Sequence, residues 1–184
     1  MDRDGCRGDA QHVGHLVVGE VEQDPHHHDF ALTVGQGPQR QEEVAVEIEQ
    51  CARIFGIDPK VAMLSFSTKG SGKGGTVALS AEATKIAKEL NPEMKIDGEM
   101  QFDAAVSPTV GQLKFPGSEV AGYANTFVFP LIEAGNIGYK IAQRLGGYAA
   151  YGPILLGLNA PINDLSRGCD AEEVYKMSII TAAL

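Results

Sequence analysis

The stretch Lys60-Val-Ala-Met-Leu-Ser-Phe66 is the tightest constraint in this sequence, because a short, continuously apolar run suits a strand covered on both faces. It lies between two segments of helical period. Before it, Val44, Ile48, Cys51 and Phe55 recur at helical spacing, with Glu42 and Glu43 in the first turn and Gly56 placed to stop the helix. After it, Val77 to Leu90 repeats that period and ends at Asn91-Pro92. A buried strand flanked by helices of about a dozen residues is the unit of a parallel α/β sheet.

The same alternation continues downstream. Met94 to Met100 reads as a strand, Phe102 to Val106 as a short helical piece and Thr126 to Pro130 as a strand. Ala134 to Leu145 reads as a helix closed by Gly146-Gly147, and Ile154 to Leu158 as a strand or buried turn. A last helix runs from Asp170 to the C-terminus with Val174, Met177 or Ser178, and Thr181 inward. The expected architecture is a three-layer α/β/α sandwich around a mostly parallel sheet. Residues 1–40 read differently: they hold all five histidines and no sustained period, although Val13 to Val21 suits a short strand. His12, His15 and the His26–His28 triplet have metal-ligand chemistry, but the segment reads rather as a disordered or non-native leader.

Composition narrows the function. A net charge of −9 opposes a nucleic-acid surface, which needs clustered Lys and Arg to neutralise phosphates. Cys6, Cys51 and Cys169 are odd in number and far apart, so no disulfide framework or metal-ligand spacing follows, and a reducing cytoplasm is expected. No apolar run approaches the roughly 18 residues that a membrane helix needs.

Three segments carry candidate chemistry. Ser67-Thr-Lys-Gly-Ser-Gly-Lys-Gly-Gly75 joins a buried strand to a helix, where hydroxyls and N–H groups can hold an anion. It is not a Walker A loop, since Ser67 stands where the first Gly belongs and Gly74 where Ser or Thr would hold magnesium. A flexible surface loop is the alternative. Glu133-Ala-Gly-Asn-Ile-Gly-Tyr-Lys140 also follows a strand; Gly135 and Gly138 permit close backbone approach, and Asn136 offers a donor and an acceptor. Third, Ser166-Arg167 precedes a helix start that would welcome an anion, or forms an ordinary exposed turn. Asp170-Ala-Glu-Glu173 is a ready capping box, so Glu173 reads as a cap or as a base. With no histidine after residue 28, any base must be a carboxylate, Lys, Tyr or thiolate, which removes Ser-His and Cys-His schemes.

Five segments in order resemble the phosphate acetyltransferase family: Ser65-Phe-Ser-Thr-Lys-Gly-Ser71, Asp97-Gly-Glu-Met-Gln-Phe-Asp-Ala-Ala105, Pro116 to Ala124, residues 127–145, and Pro161-Ile-Asn-Asp-Leu-Ser-Arg-Gly-Cys169. The resemblance covers 41–184, as the C-terminal part of such a domain, and leaves 1–40 as a non-matching leader. It implies an isocitrate/isopropylmalate dehydrogenase-like fold, incomplete on its N-terminal side, with the site in a cleft between two α/β domains.

The implied reaction interconverts acetyl phosphate and coenzyme A with acetyl-CoA and phosphate in a ternary complex. Coenzyme A is a substrate, no metal or other cofactor is bound, and a cytoplasmic homodimer is expected. The resemblance assigns catalysis to Arg167, Ser166 and Glu173, the last where the family usually carries Asp. It assigns substrate binding to Ser67, Thr68, Lys69, Ser71, Gly135, Asn136, Lys140 and Asn163. A butyryl-accepting relative, a non-catalytic acyl-CoA-sensing module and an inactive fragment are the alternatives.

Overall fold

A computed structural model describes residues 41–156 and 160–184 in full and the backbone of 14–20 and 30–34. His12, His26, His27, His28 and Cys6 lie outside the described residues. The strands are β1 (Gly14–Glu20), β2 (Phe30–Val34), β3 (Val61–Leu64), β4 (Ile96–Met100), β5 (Thr126–Phe129) and β6 (Ala149–Leu156). The helices are α1 (Gln41–Ile54), α2 (Val77–Leu90), α3 (Phe102–Val106), α4 (Pro108–Lys114), α5 (Ile132–Gly146) and α6 (Ala171–Ala183).

One sheet takes the order β4-β3-β5-β2-β1-β6. β3 pairs parallel with β4 and with β5, and β5 parallel with β2. β1 is antiparallel to both β2 and β6, so β6 again points the same way as β2. The parallel α/β class expected from the alternation is therefore present.

The sheet is covered on both faces, and side-chain alternation shows how. Val61 and Met63 of β3 and Val128 of β5 join a core with Val44, Ile48 and Ala83 from α1 and α2. Ala62 and Leu64 of β3 and Phe127 of β5 join a second core with Ala104 and Ala105 of α3, against which Tyr139 of α5 packs. Successive strand residues point to opposite faces, so the two cores sit on opposite sides of the sheet. This is why Val61 to Leu64 is apolar throughout, whereas Phe66, read as part of the same run, lies past the strand and is exposed.

Two departures from the sequence reading stand out. Residues 1–40 do not all fall outside the sheet, since β1 and β2 are its members and β2 separates β5 from β1. A strand is completed by backbone bonds to partners far away in sequence, and local periodicity carries no record of them. Helix α4 was likewise not expected; Pro108 opens it, where the missing N–H is harmless and the fixed φ suits a first turn.

α1 is tied down by a buried amide. Gln41 Nε2 donates to Pro130 O at 3.1 Å, just past β5, and its Oε1 accepts from Ser80 Oγ of α2 at 3.3 Å. Gly98 of β4 is a close-approach position, for a Cβ there would meet Met63 Cβ at 2.5 Å and Thr84 Oγ1 at 2.8 Å. Gly98→Ala is expected to cost about 1–3 kcal/mol through overpacking, or more where strand β4 shifts. Chemical denaturation at constant m-value checks it, and an unchanged midpoint refutes the close approach.

Candidate functional site

The loop after β3 is built around an internal acid. Ser67 Oγ donates to Glu99 Oε1 at 2.8 Å, Gly70 N donates to the same oxygen at 2.7 Å, and Gly72 N donates to Ser67 Oγ at 2.9 Å. Ser67 and Glu99 are both buried. Thr68 N donates to Ser71 Oγ at 3.0 Å, while Thr68 Oγ1 accepts from Gln101 N at 2.9 Å. Lys69 adopts φ 49° and lays its Nζ 4.8 Å from the Phe115 ring centroid. Two of the donors expected to hold a ligand anion, Ser67 Oγ and Gly70 N, are thus turned to the Glu99 carboxyl group, which takes the place an anion would occupy between them. Ser67, Thr68 and Ser71, expected to bind substrate, thus all take part in hydrogen bonds within the loop or to β4 and its end.

The second segment lies wholly within a helix. Leu131 is the N-cap of α5, and Gly135 N donates to Leu131 O at 3.2 Å as part of the first turn. Gly135 is buried and Asn136 exposed. Gly138 packs on an aromatic ring, since a Cβ there would lie 3.2 Å from Phe129 Cε1. Lys140 follows, its Nζ donating to Tyr139 Oη at 2.9 Å.

The third segment is placed by Asn163. Its Oδ1 accepts from Leu155 N at 3.1 Å and its Nδ2 donates to Thr181 Oγ1 at 2.8 Å, joining β6 to α6. Residue 163 also bridges Ile154 in the antiparallel sense, so the chain doubles back along β6. Asn163, expected at a ligand, therefore spends its amide on the fold. The doubling back carries Ser166 to the side of Ala150 and Gly152, where a cavity of about 260 Å³ opens. Lys140, Gln143 and Arg144 of α5 line it, with Ser166 and Glu173 opposite. Lys140, Gln143 and Arg144 share one face of α5 through their i, i+3, i+4 spacing. Arg144 and Gln143 were missed in the sequence, and that spacing was the available signal.

Glu173 completes the capping box: its N donates to Asp170 Oδ1 at 2.9 Å, and its Oε2 accepts from Asp170 N at 3.2 Å. Its Oε1 accepts from Gln143 Nε2 at 3.4 Å. Both carboxyl oxygens are thus engaged, and Glu173 forms the cap expected of it while also lining the cavity. Arg167 is exposed, pairs with no carboxyl group among the described residues, and is not one of the residues lining the cavity, although Ser166 and Gly168 on either side are. The cavity takes nothing from the Ser67–Ser71 loop, which follows the C-terminal end of β3, whereas Ser166 sits beside the first half of β6. The expected site residues are therefore split between two ends of the sheet.

No group of three or more His, Cys, Asp or Glu that could hold a metal occurs among the described residues. Burial pushes the Cys51 thiol up to about 11, whereas Cys169 is partly exposed and lines the cavity. A folded-state value above the unfolded one favours the fold below about pH 9, and that contribution fades as pH rises through about 11.

The sequence profile of the phosphate acetyl/butaryl transferase family matches residues 27–182. A phosphate acetyltransferase of Bacillus subtilis is 58% identical over 155 residues, covering 84% of this chain and 48% of that protein. The crystal structure of a phosphotransacetylase from Streptococcus pyogenes superposes with TM-score 0.83 at 51% identity, over 92% of this chain and 53% of that one. The EutD phosphotransacetylase of Staphylococcus aureus superposes with TM-score 0.81 at 50% identity, over 92% and 53%. The chain spans about half the length of these relatives.

Two outcomes follow. Asn163→Ala is expected to destabilise the fold by about 1–3 kcal/mol, because Leu155 N and Thr181 Oγ1 each lose a partner; thermal unfolding measures this. Cys51 is expected to resist alkylation at pH 8 in the folded chain and to react once the chain is denatured, as read by peptide mass mapping.

Proposed function

The chain belongs to the phosphate acetyl/butaryl transferase family, and from that we propose that the cavity beside Ser166 receives the acyl-phosphate end of an acyl transfer to coenzyme A. The observation that carries this reading is the meeting of Ser166 with two cationic side chains, Lys140 and Arg144, in one small cavity of a chain 58% identical to phosphate acetyltransferases. At about 260 Å³ the cavity is smaller than the roughly 300–1,000 Å³ that hold drug-sized ligands. It suits the reacting end of a substrate, and the nucleotide of coenzyme A then lies outside it.

In the proposed step the coenzyme A sulfur attacks the acyl carbonyl carbon, a C–S bond forms, the C–O bond to phosphate breaks, and phosphate leaves with that electron pair. The thiol proton passes to solvent or to a base. A thiol of pKa about 8.5 is already a few per cent ionised at neutral pH, so full deprotonation gains only about 30-fold. A preorganised cationic or N–H donor at the developing charge is worth roughly 10²–10³. The family resemblance ranks Arg167 first, Ser166 as donor second and Glu173 third, while the cations that line the cavity itself are Lys140 and Arg144. The engagement of both Glu173 oxygens in the cap and with Gln143 supports that order. Asn136 and Lys69, both exposed, remain candidates for contacts to the rest of coenzyme A. No bound metal or further cofactor enters this scheme, and a cytoplasmic setting suits its soluble substrates.

A second copy of the chain is the proposed partner. Phe102, Val106, Tyr123 and Ile141 are exposed large hydrophobics lining a cavity of about 1020 Å³ on the far side of α5 from the Ser166 cavity. Exposed apolar area of this kind commonly marks an interface.

The test is a CoA-dependent transfer assay on the purified chain with acetyl phosphate. Arg167→Ala is expected to lose about 10²–10³ in kcat/KM and Glu173→Gln no more than about 30-fold. Equal losses overturn the ranking. Binding of coenzyme A with no turnover assigns the chain to sensing instead.

A further inference from the structure

The lining of the Ser166 cavity is of two chemical kinds. Lys140 and Arg144 bring positive charge from α5 and Ser166 a hydroxyl, while Leu165 and Met177 supply an apolar wall from the turn and from α6. Glu173 is the acidic member of the lining, and its two oxygens are taken by Asp170 N and Gln143 Nε2. An acyl phosphate has the same division, with a charged phosphoryl end and an apolar acyl end. Charge places the phosphoryl group toward Lys140, Arg144 and Ser166. The acyl group is then left against Leu165 and Met177.

We propose that Leu165 and Met177 are specificity-determining residues that form the acyl-facing wall and restrict the transferred group to a short chain. The proposal deepens the acyl-transfer reading above and rests on it. The wall is backed and does not yield: Met177 is 3% exposed and belongs to the same core as Tyr151 and Ile154, and Leu165 packs against that core. Close-packed interiors do not open to admit extra methylenes. Each methylene that a hydrophobic pocket accepts or rejects changes kcat/KM by roughly 10–200-fold.

The experiment measures kcat/KM for acetyl phosphate and butyryl phosphate, together with dissociation constants for both, on the chain, on Leu165→Ala and on Met177→Ala. Leu165 is only partly buried, so Leu165→Ala keeps the test usable where Met177→Ala fails to fold. The expected result is a rise of at least about 10-fold in the butyryl-to-acetyl ratio of kcat/KM in Leu165→Ala. Leu165→Phe is expected to move the ratio the other way. A merely structural role lowers both substrates together and leaves the ratio fixed, and that result overturns the proposal while the acyl-transfer reading stands. Neither binding nor transfer of either acyl phosphate by the unsubstituted chain overturns both.

Discussion

The candidate site depends on the side-chain amide of Asn163. The return segment meets the last strand of the sheet through an isolated bridge between residue 163 and Ile154, so side-chain bonds must fix much of its path. Asn163 does this with one acceptor on Leu155 N and one donor on Thr181 Oγ1, fastening β6, the return segment and α6 together. Everything C-terminal of it inherits that placement: the Ser166 turn, the Asp170 cap and the Glu173 carboxyl group facing Gln143. A polar residue that looks like a ligand contact in sequence can thus act one step earlier, by deciding where the contacts will be.

The site is assembled from residues whose individual roles are modest. Lys140 and Arg144 are ordinary surface cations on a helix, Ser166 belongs to a four-residue turn in which Cys169 N donates to Ser166 O, and Glu173 is a cap. Their chemistry comes from convergence in a small volume. Charges that approach one another across such a cavity interact more strongly than the same charges in open water. This is the physical content behind reading the cavity as a receiver of anions, and it does not depend on any single residue being unusual.

Much of the fold was legible in the sequence, because its signals are local. The continuous apolar run at Val61–Leu64 and the period of Val44, Ile48 and Cys51 reported two covered faces and a buried helix flank. The capping box at Asp170 and Glu173 was legible for the same reason, being written within four residues. What was not legible is the non-local part. β1 was legible as a short strand at Val13 to Val21, but its place between β2 and β6 was not; β2 is set by its pairing with β5, and the Ser166 cavity by a chain reversal along β6. The loop was legible as a strand-to-helix junction, but its internal acid was not, since Glu99 lies about 30 residues downstream on another strand.

That internal acid has a wider implication. A glycine- and serine-rich turn after a buried strand is ambiguous on its own, because the backbone that cradles a foreign anion cradles a resident one equally well. In a parallel sheet the neighbouring strand ends at the same level, so an acidic side chain near its terminus reaches into the turn. Here Glu99 comes from β4, the immediate neighbour of β3. An acid at the end of the adjoining strand therefore marks a turn that is self-sealed, and motif searches for nucleotide or phosphate cradles gain discrimination by looking one strand over.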